Sequence, residues 1–148
     1  MGGINTKYQN ILKALTSFQD AIDHYNSIQK TKEIILIGSL DRDELLLSLR
    51  DSMVQRFEYS LDTFWKYLKI YLEEKEKVVI EFQSPRYIIN TACKVGLITE
   101  KETEEFLEML EGRNLTSHIY KEEIAKIVAQ SIPAYSRLLQ LIAARLKP

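Results

Sequence analysis

Over 148 residues the chain has one cysteine, three prolines, five glycines and two histidines. The lone Cys93 excludes an internal disulfide and a zinc site built on paired cysteines, and it fits a reducing compartment such as the cytoplasm. So few turn-formers argue against a fold of many short strands and favour long helices with few connections. The formal net charge is only −1, which excludes a general basic field for nucleic acid. Contact with RNA or DNA would need a local patch, or one assembled from two subunits. Apolar runs such as Ile34 to Ile37 and Leu45 to Leu47 are far too short to span a membrane, and MGGINTKYQN lacks the charged-then-apolar order of a signal peptide. The expectation is a cytoplasmic protein with no membrane contact, no metal and no cofactor.

What is present is helical periodicity. Ile11, Leu15, Phe18, Ile22 and Tyr25 recur at steps of 4, 3, 4 and 3, one face of an amphipathic helix placed from about Asn5 to Gln29. From Arg42 to about Glu74 there is neither Gly nor Pro, and Leu46, Leu49, Met53, Phe57, Leu61, Phe64, Leu68 and Tyr71 keep the spacing. Leu45, Val54, Trp65 and Leu72 widen the stripe. Such a helix runs about 45 Å at 1.5 Å per residue and serves as a central spine. Residues 30–41 between the two read as a connection that tucks its apolar residues against the bundle. VVIEFQ, residues 78–83, is a short linker. Ser84 then caps and Pro85 opens a third helix ending at Val95 and Gly96. Thr99 with Glu102 forms a capping box for a fourth, which carries Phe106, Leu107, Leu110 and Leu115. A last helix starts near Lys121 and carries Ile124, Ile127, Val128, Ile132, Leu138, Leu139, Leu141 and Ile142, with Pro133 expected to kink or break it. The fold class is all-α: an up-and-down bundle of about five helices around a four-helix core, with residues 1–148 as one domain.

One stretch, RNLTSHIY (residues 113–120), groups the types that could do chemistry. Arginine grips a phosphate with a forked pair of hydrogen bonds, and histidine moves a proton near neutral pH. Together they suffice to cleave an RNA phosphodiester without a metal. His118 would take a proton from a ribose 2′-OH or give one to the leaving oxygen, and Arg113 would hold the charge that builds on phosphorus. On a regular helix Arg113 and His118 stand about 140° apart. A turn loosened around Gly112, Thr116 and Ser117, with Asn114 holding the backbone, would bring them closer. The plainer alternative is a helix-terminal histidine facing the C-terminal dipole, with Arg113 an ion-pair partner for Glu108 or Glu111. Spacing alone leaves both readings open.

The pattern R-x-x-x-x-H-x-Y, here Arg113, His118 and Tyr120 with Asn114 after the arginine, resembles the signature of HEPN-domain proteins. More narrowly it resembles the HepT-type toxins of paired nucleotidyltransferase–HEPN modules, a group also known as nucleotidyltransferase substrate-binding proteins. RDSMVQRFEYSLDTFWKYLKIYLEE (50–74) is similar to the family's long second helix, and SPRYIINTACKVGLI (84–98) and EMLEGRNLTSHIY (108–120) to its later segments. The stretch 31–44 departs from the pattern through extra apolar residues. The resemblance implies a helical bundle that pairs as a homodimer with both motifs facing a shared cleft, and metal-independent cleavage of RNA. Arg113, His118 and Asn114 would be its catalytic residues. It implies a small nucleotidyltransferase antitoxin as partner, which silences the toxin by transferring AMP to Tyr120. An older reading of the family is a non-catalytic subunit that presents substrate or nucleotide to the nucleotidyltransferase.

Other residues carry weaker signals. His24 beside Tyr25 reads as a solvated histidine, since no second ligand stands at metal spacing. Arg56 and Glu58 could line a cleft or sit in a surface ion pair. Phe64, Trp65, Tyr67 and Tyr71 read as core or dimer face rather than a base-stacking platform. Asp41, Asp43 and Glu44 cluster at a helix start, where negative charge is favoured. IGSLDRDE has a faint likeness to a nucleotidyltransferase signature but lacks the sheet that motif requires. Cys93 reads as a small buried residue.

Overall fold

The computed structural model describes residues 3–30, 41–118 and 122–148, with side chains except at 116–118 and 122–125. Five helices follow one another: α1 (Ile4–Lys30), α2 (Arg42–Glu74), α3 (Pro85–Lys94), α4 (Glu100–His118) and α5 (Glu122–Arg145). The expected connection at 30–41 lies outside the described residues apart from its two ends.

Local chemistry explains the boundaries. The Asp41 carboxylate accepts the Glu44 N–H at 2.8 Å and caps α2, whose first turn carries Asp43 and Glu44. Ser84 caps α3 through the Tyr87 N–H at 3.2 Å. At the other end of α3, Gly96 takes φ +84°, and the Leu97 and Gly96 N–H groups reach back to the Ala92 and Cys93 carbonyls. That is a Schellman stop, which needs a left-handed residue. The capping box of α4 is reciprocal: Thr99 N–H to Glu102 at 2.9 Å and Glu102 N–H to Thr99 Oγ1 at 3.1 Å.

Helix α2 touches all four other helices, while α1–α5, α5–α4 and α4–α3 contacts form an open arc around it. Hydrogen bonds fix the directions. Arg56 reaches the Ser17 carbonyl and Ser60 that of Ala14, so α1 runs antiparallel to α2. Phe57 stacks on Tyr135 and Tyr67 donates to the Leu146 carbonyl, so α5 runs parallel to α2. Phe64 meets Phe106 and Asp62 meets Arg113, so α4 is antiparallel to it. The long helices therefore alternate up and down, and short α3 packs on α2 and α4. Phe18, Phe57, Leu61, Phe64, Leu68 and Phe106 fill the core with no exposed surface.

Three expectations are corrected. Pro133 does not break the last helix, which continues to Arg145; its neighbour Ile132 is fully buried, so core packing on both sides of the proline holds the helix together. Ile127 and Leu141 face outward, because the buried stripe of α5 runs Val128, Ile132, Tyr135, Leu139, Ile142, which leaves those two off the core face. Leu115 is also exposed, and Met109 takes the inward place on α4.

The two ends of the α4–α5 pair are joined by charge. Arg145 grips Glu102 with two hydrogen bonds of 2.8 Å and also donates to the Leu97 carbonyl. These bonds hold the Glu102 pKa down from 4.5 to about 2, against the opposing effect of burial and with help from the Thr99 N–H. A carboxyl depressed in the folded state stabilises it fully above the unfolded value, and that support fades as pH falls from about 4.5 toward 2. Glu102→Gln is expected to cost about 1–2 kcal/mol at pH 7, since Arg145 is partly solvated, and much less at pH 3. Urea unfolding at both values checks this; an equal loss at the two would remove the ionic component.

Candidate functional site

The candidate motif occupies the last turns of α4. The Phe106, Leu110, Arg113 spacing of 4 and 3 sets the arginine on the face that packs against α2. Phe106 and Leu110 are buried there, and one turn further on α2 presents Asp62. Arg113 Nε donates to Asp62 Oδ1 at 3.2 Å and Nη2 to Oδ2 at 2.8 Å, a forked pair. The two side chains keep 25% and 37% of their exposure, so the site is open to solvent. The hydrogen bonds to Asp62 raise the Arg113 pKa, the negative charge of Glu58 adds to the rise, and burial opposes it. The guanidinium stays cationic and its plane is set by the carboxylate.

Against the sequence expectations, the helix runs unbroken through Gly112 to His118; the turn is not loosened. Gly112 takes no left-handed conformation, and a Cβ there would meet only Val128 Cγ2 at 3.8 Å, an ordinary contact, so nothing at this glycine forces a break. His118 is the last residue of α4. Its side chain, and Tyr120 altogether, lie outside the described residues. Asn114 is exposed on the helix surface. The fork holding Arg113 comes from Asp62 on another helix, where the plainer reading looked to Glu108 or Glu111 on the same one.

Gly112→Ala is expected to stabilise the fold by about 0.5–1 kcal/mol, because glycine inside a helix costs backbone entropy and the added methyl has room. Thermal unfolding measures it. A lower Tm would show that the helix needs the glycine.

Asp62 is the residue that sequence reasoning missed. The available signal was Glu58 and Asp62, four apart on α2 and so on one face. Arg56, the cleft candidate, turns instead to α1, donating to the Ser17 carbonyl at 2.8 Å. His24 is exposed, and Cys93 is half-buried. Phe64 and Tyr67 are core, with Trp65 and Tyr71 packed at its edge. Among the described residues no group of histidine, cysteine and carboxylate side chains could hold a metal ion, and no helix is long and apolar enough to cross a membrane.

Residues 6–148 match the family described as nucleotidyltransferase substrate binding protein like. No curated protein matches the chain significantly. Among solved structures, a protein of Thermus thermophilus is 31% identical with a TM-score of 0.64, covering 88% of this chain and 99% of its own. A mutant of the toxin-antitoxin MntA-HpeT is 14% identical with a TM-score of 0.63, over 93% of this chain and 97% of that one. A toxin-antitoxin with AMP-PNP is 16% identical with a TM-score of 0.60, over 99% and 100%. At such identities the last two likenesses are of fold.

Proposed function

The chain belongs to the nucleotidyltransferase substrate binding protein-like family, and on that premise we propose that it is the toxin subunit of a HEPN/nucleotidyltransferase toxin–antitoxin module that cleaves RNA without a metal. The observation that carries the reading is the R-x-x-x-x-H-x-Y motif, whose Arg113 and His118 lie in the last turns of α4, the arginine oriented by Asp62 on a face open to solvent. The fold likeness to toxin-antitoxin structures supports it.

The roles follow from the chemistry. The ribose 2′-OH attacks the neighbouring phosphorus as His118 takes its proton. The P–O5′ bond breaks, the 5′-oxygen picks up a proton, and a 2′,3′-cyclic phosphate remains. Arg113 holds the added negative charge, with Asp62 as its positioning residue and Asn114 beside it. AMP placed on Tyr120 by a small nucleotidyltransferase partner brings negative charge and bulk next to Arg113 and competes for the phosphate position. The working form is a cytoplasmic homodimer with the two motifs lining one cleft. Leu115, 42% exposed within the motif, and Ile127, 64% exposed on the adjoining helix, would supply apolar surface for the second copy.

The test is incubation of RNA with the purified protein in excess chelator, with the product ends identified. Cyclic phosphate termini support the reading, and intact RNA sinks it. The family description and the carboxylate already in the Arg113 fork favour a second reading, a non-catalytic subunit that presents substrate or nucleotide to the nucleotidyltransferase. That reading keeps RNA whole, while binding to the partner or a nucleotide still depends on Arg113.

A further inference from the structure

A second cleft lies between α1, α2 and α5, about 300 Å³ in volume, a size suited to a small ligand. Its inner wall holds Arg50, which is only 8% exposed. The Arg50 Nε is buried and has no hydrogen-bond partner among the described residues. A buried guanidinium without an anion is costly, because desolvation favours neither the charge nor an unmet N–H. Lys126 stands at the exposed rim of the same cleft, and among the described residues no carboxylate lines it. Asn26, Gln29 and Gln130 add amide groups, and Tyr25 gives a half-buried ring. Pro133 also borders the cleft.

We infer that this cleft binds a small phosphate monoester carried on a hydroxylated body, with Arg50 and Lys126 on the phosphate. The two cations match a dianion, and the amides match a sugar. The guanidinium fork fits phosphate oxygens in a way that an ammonium alone does not. Arg50 sits twelve residues before Asp62 on α2, about 18 Å along the axis. The inference rests on the groups of this cleft and uses none of the RNLTSHIY residues.

Calorimetric titration with ribose 5-phosphate, inorganic phosphate, unphosphorylated ribose and sulfate tests it, on wild type and on Arg50→Met. Methionine keeps an unbranched apolar stem and removes the unpaired charge, so the variant is expected to fold with unchanged helical content and a Tm no lower than wild type. Ribose 5-phosphate is expected to bind wild type, inorganic phosphate more weakly, ribose not at all, and Arg50→Met to lose affinity at least tenfold. Lys126→Glu, a surface change, is expected to weaken binding by a similar factor, and it decides the matter if Arg50→Met does not fold. No binding by the phosphate ester overturns the inference, as does equal binding of sulfate or affinity untouched by the variants.

Discussion

RNA cleavage by the purified protein is expected to fall about 10²–10⁴-fold when His118 is replaced by Ala, the usual contribution of a positioned general acid–base. The loss should appear in kcat, since the imidazole acts on the proton in flight and not on resting substrate. Arg113→Lys keeps the positive charge but cannot rebuild the two-pronged bond to Asp62, and it is expected to lose about 10²-fold, the scale for one lost transition-state donor. Asp62→Asn separates positioning from charge. It leaves the guanidinium in place without its carboxylate, so kcat should drop while KM stays level or improves. A plain helix-end histidine with an ion-paired arginine predicts none of this. Under that reading all three variants cleave as wild type does and differ only in stability, by about 1 kcal/mol or less. Rates and melting curves on the same preparations distinguish the two.

Phe106→Ala is expected to destabilise the fold by about 3–5 kcal/mol, the range for emptying a buried phenylalanine site. Its ring has no exposed surface and meets Phe64 edge-on, centroids 5.7 Å apart and planes at 60°, a favoured aromatic geometry. The consequence reaches the motif, because Phe106 lies two helical turns before Arg113 on the same face. Loosening that contact should blunt activity at temperatures where the protein is still folded. Urea denaturation gives the first number and a temperature series of cleavage rates the second. A cost below about 1 kcal/mol would contradict the close packing of α4 on α2.

The helices could be read from the sequence because their signals are local. Periodic apolar residues over five or more turns, Asp41 and Ser84 as caps, the Thr99–Glu102 box and the Gly96 stop each act within a few residues, where backbone geometry leaves few alternatives. The motif was likewise visible as residue types at a spacing. Its neighbourhood was not. Asp62 reaches Arg113 across 51 positions of chain, and Arg145 reaches Glu102 across 43. Nothing in either helix alone marks which of several carboxylates will face which arginine. Pro133 misled for the same reason: the local cost of a proline is outweighed once both flanks are buried against other helices.

By itself, then, the sequence determined the class of fold, the order of its helices and most of their ends, since all of these depend on contacts within a turn or two. Tertiary structure alone decided the charge partners of Arg113 and Glu102, and it left the Arg50 Nε without a partner among the described residues. Side-chain pairing between helices depends on rotation and register, and those are set by how the whole core packs.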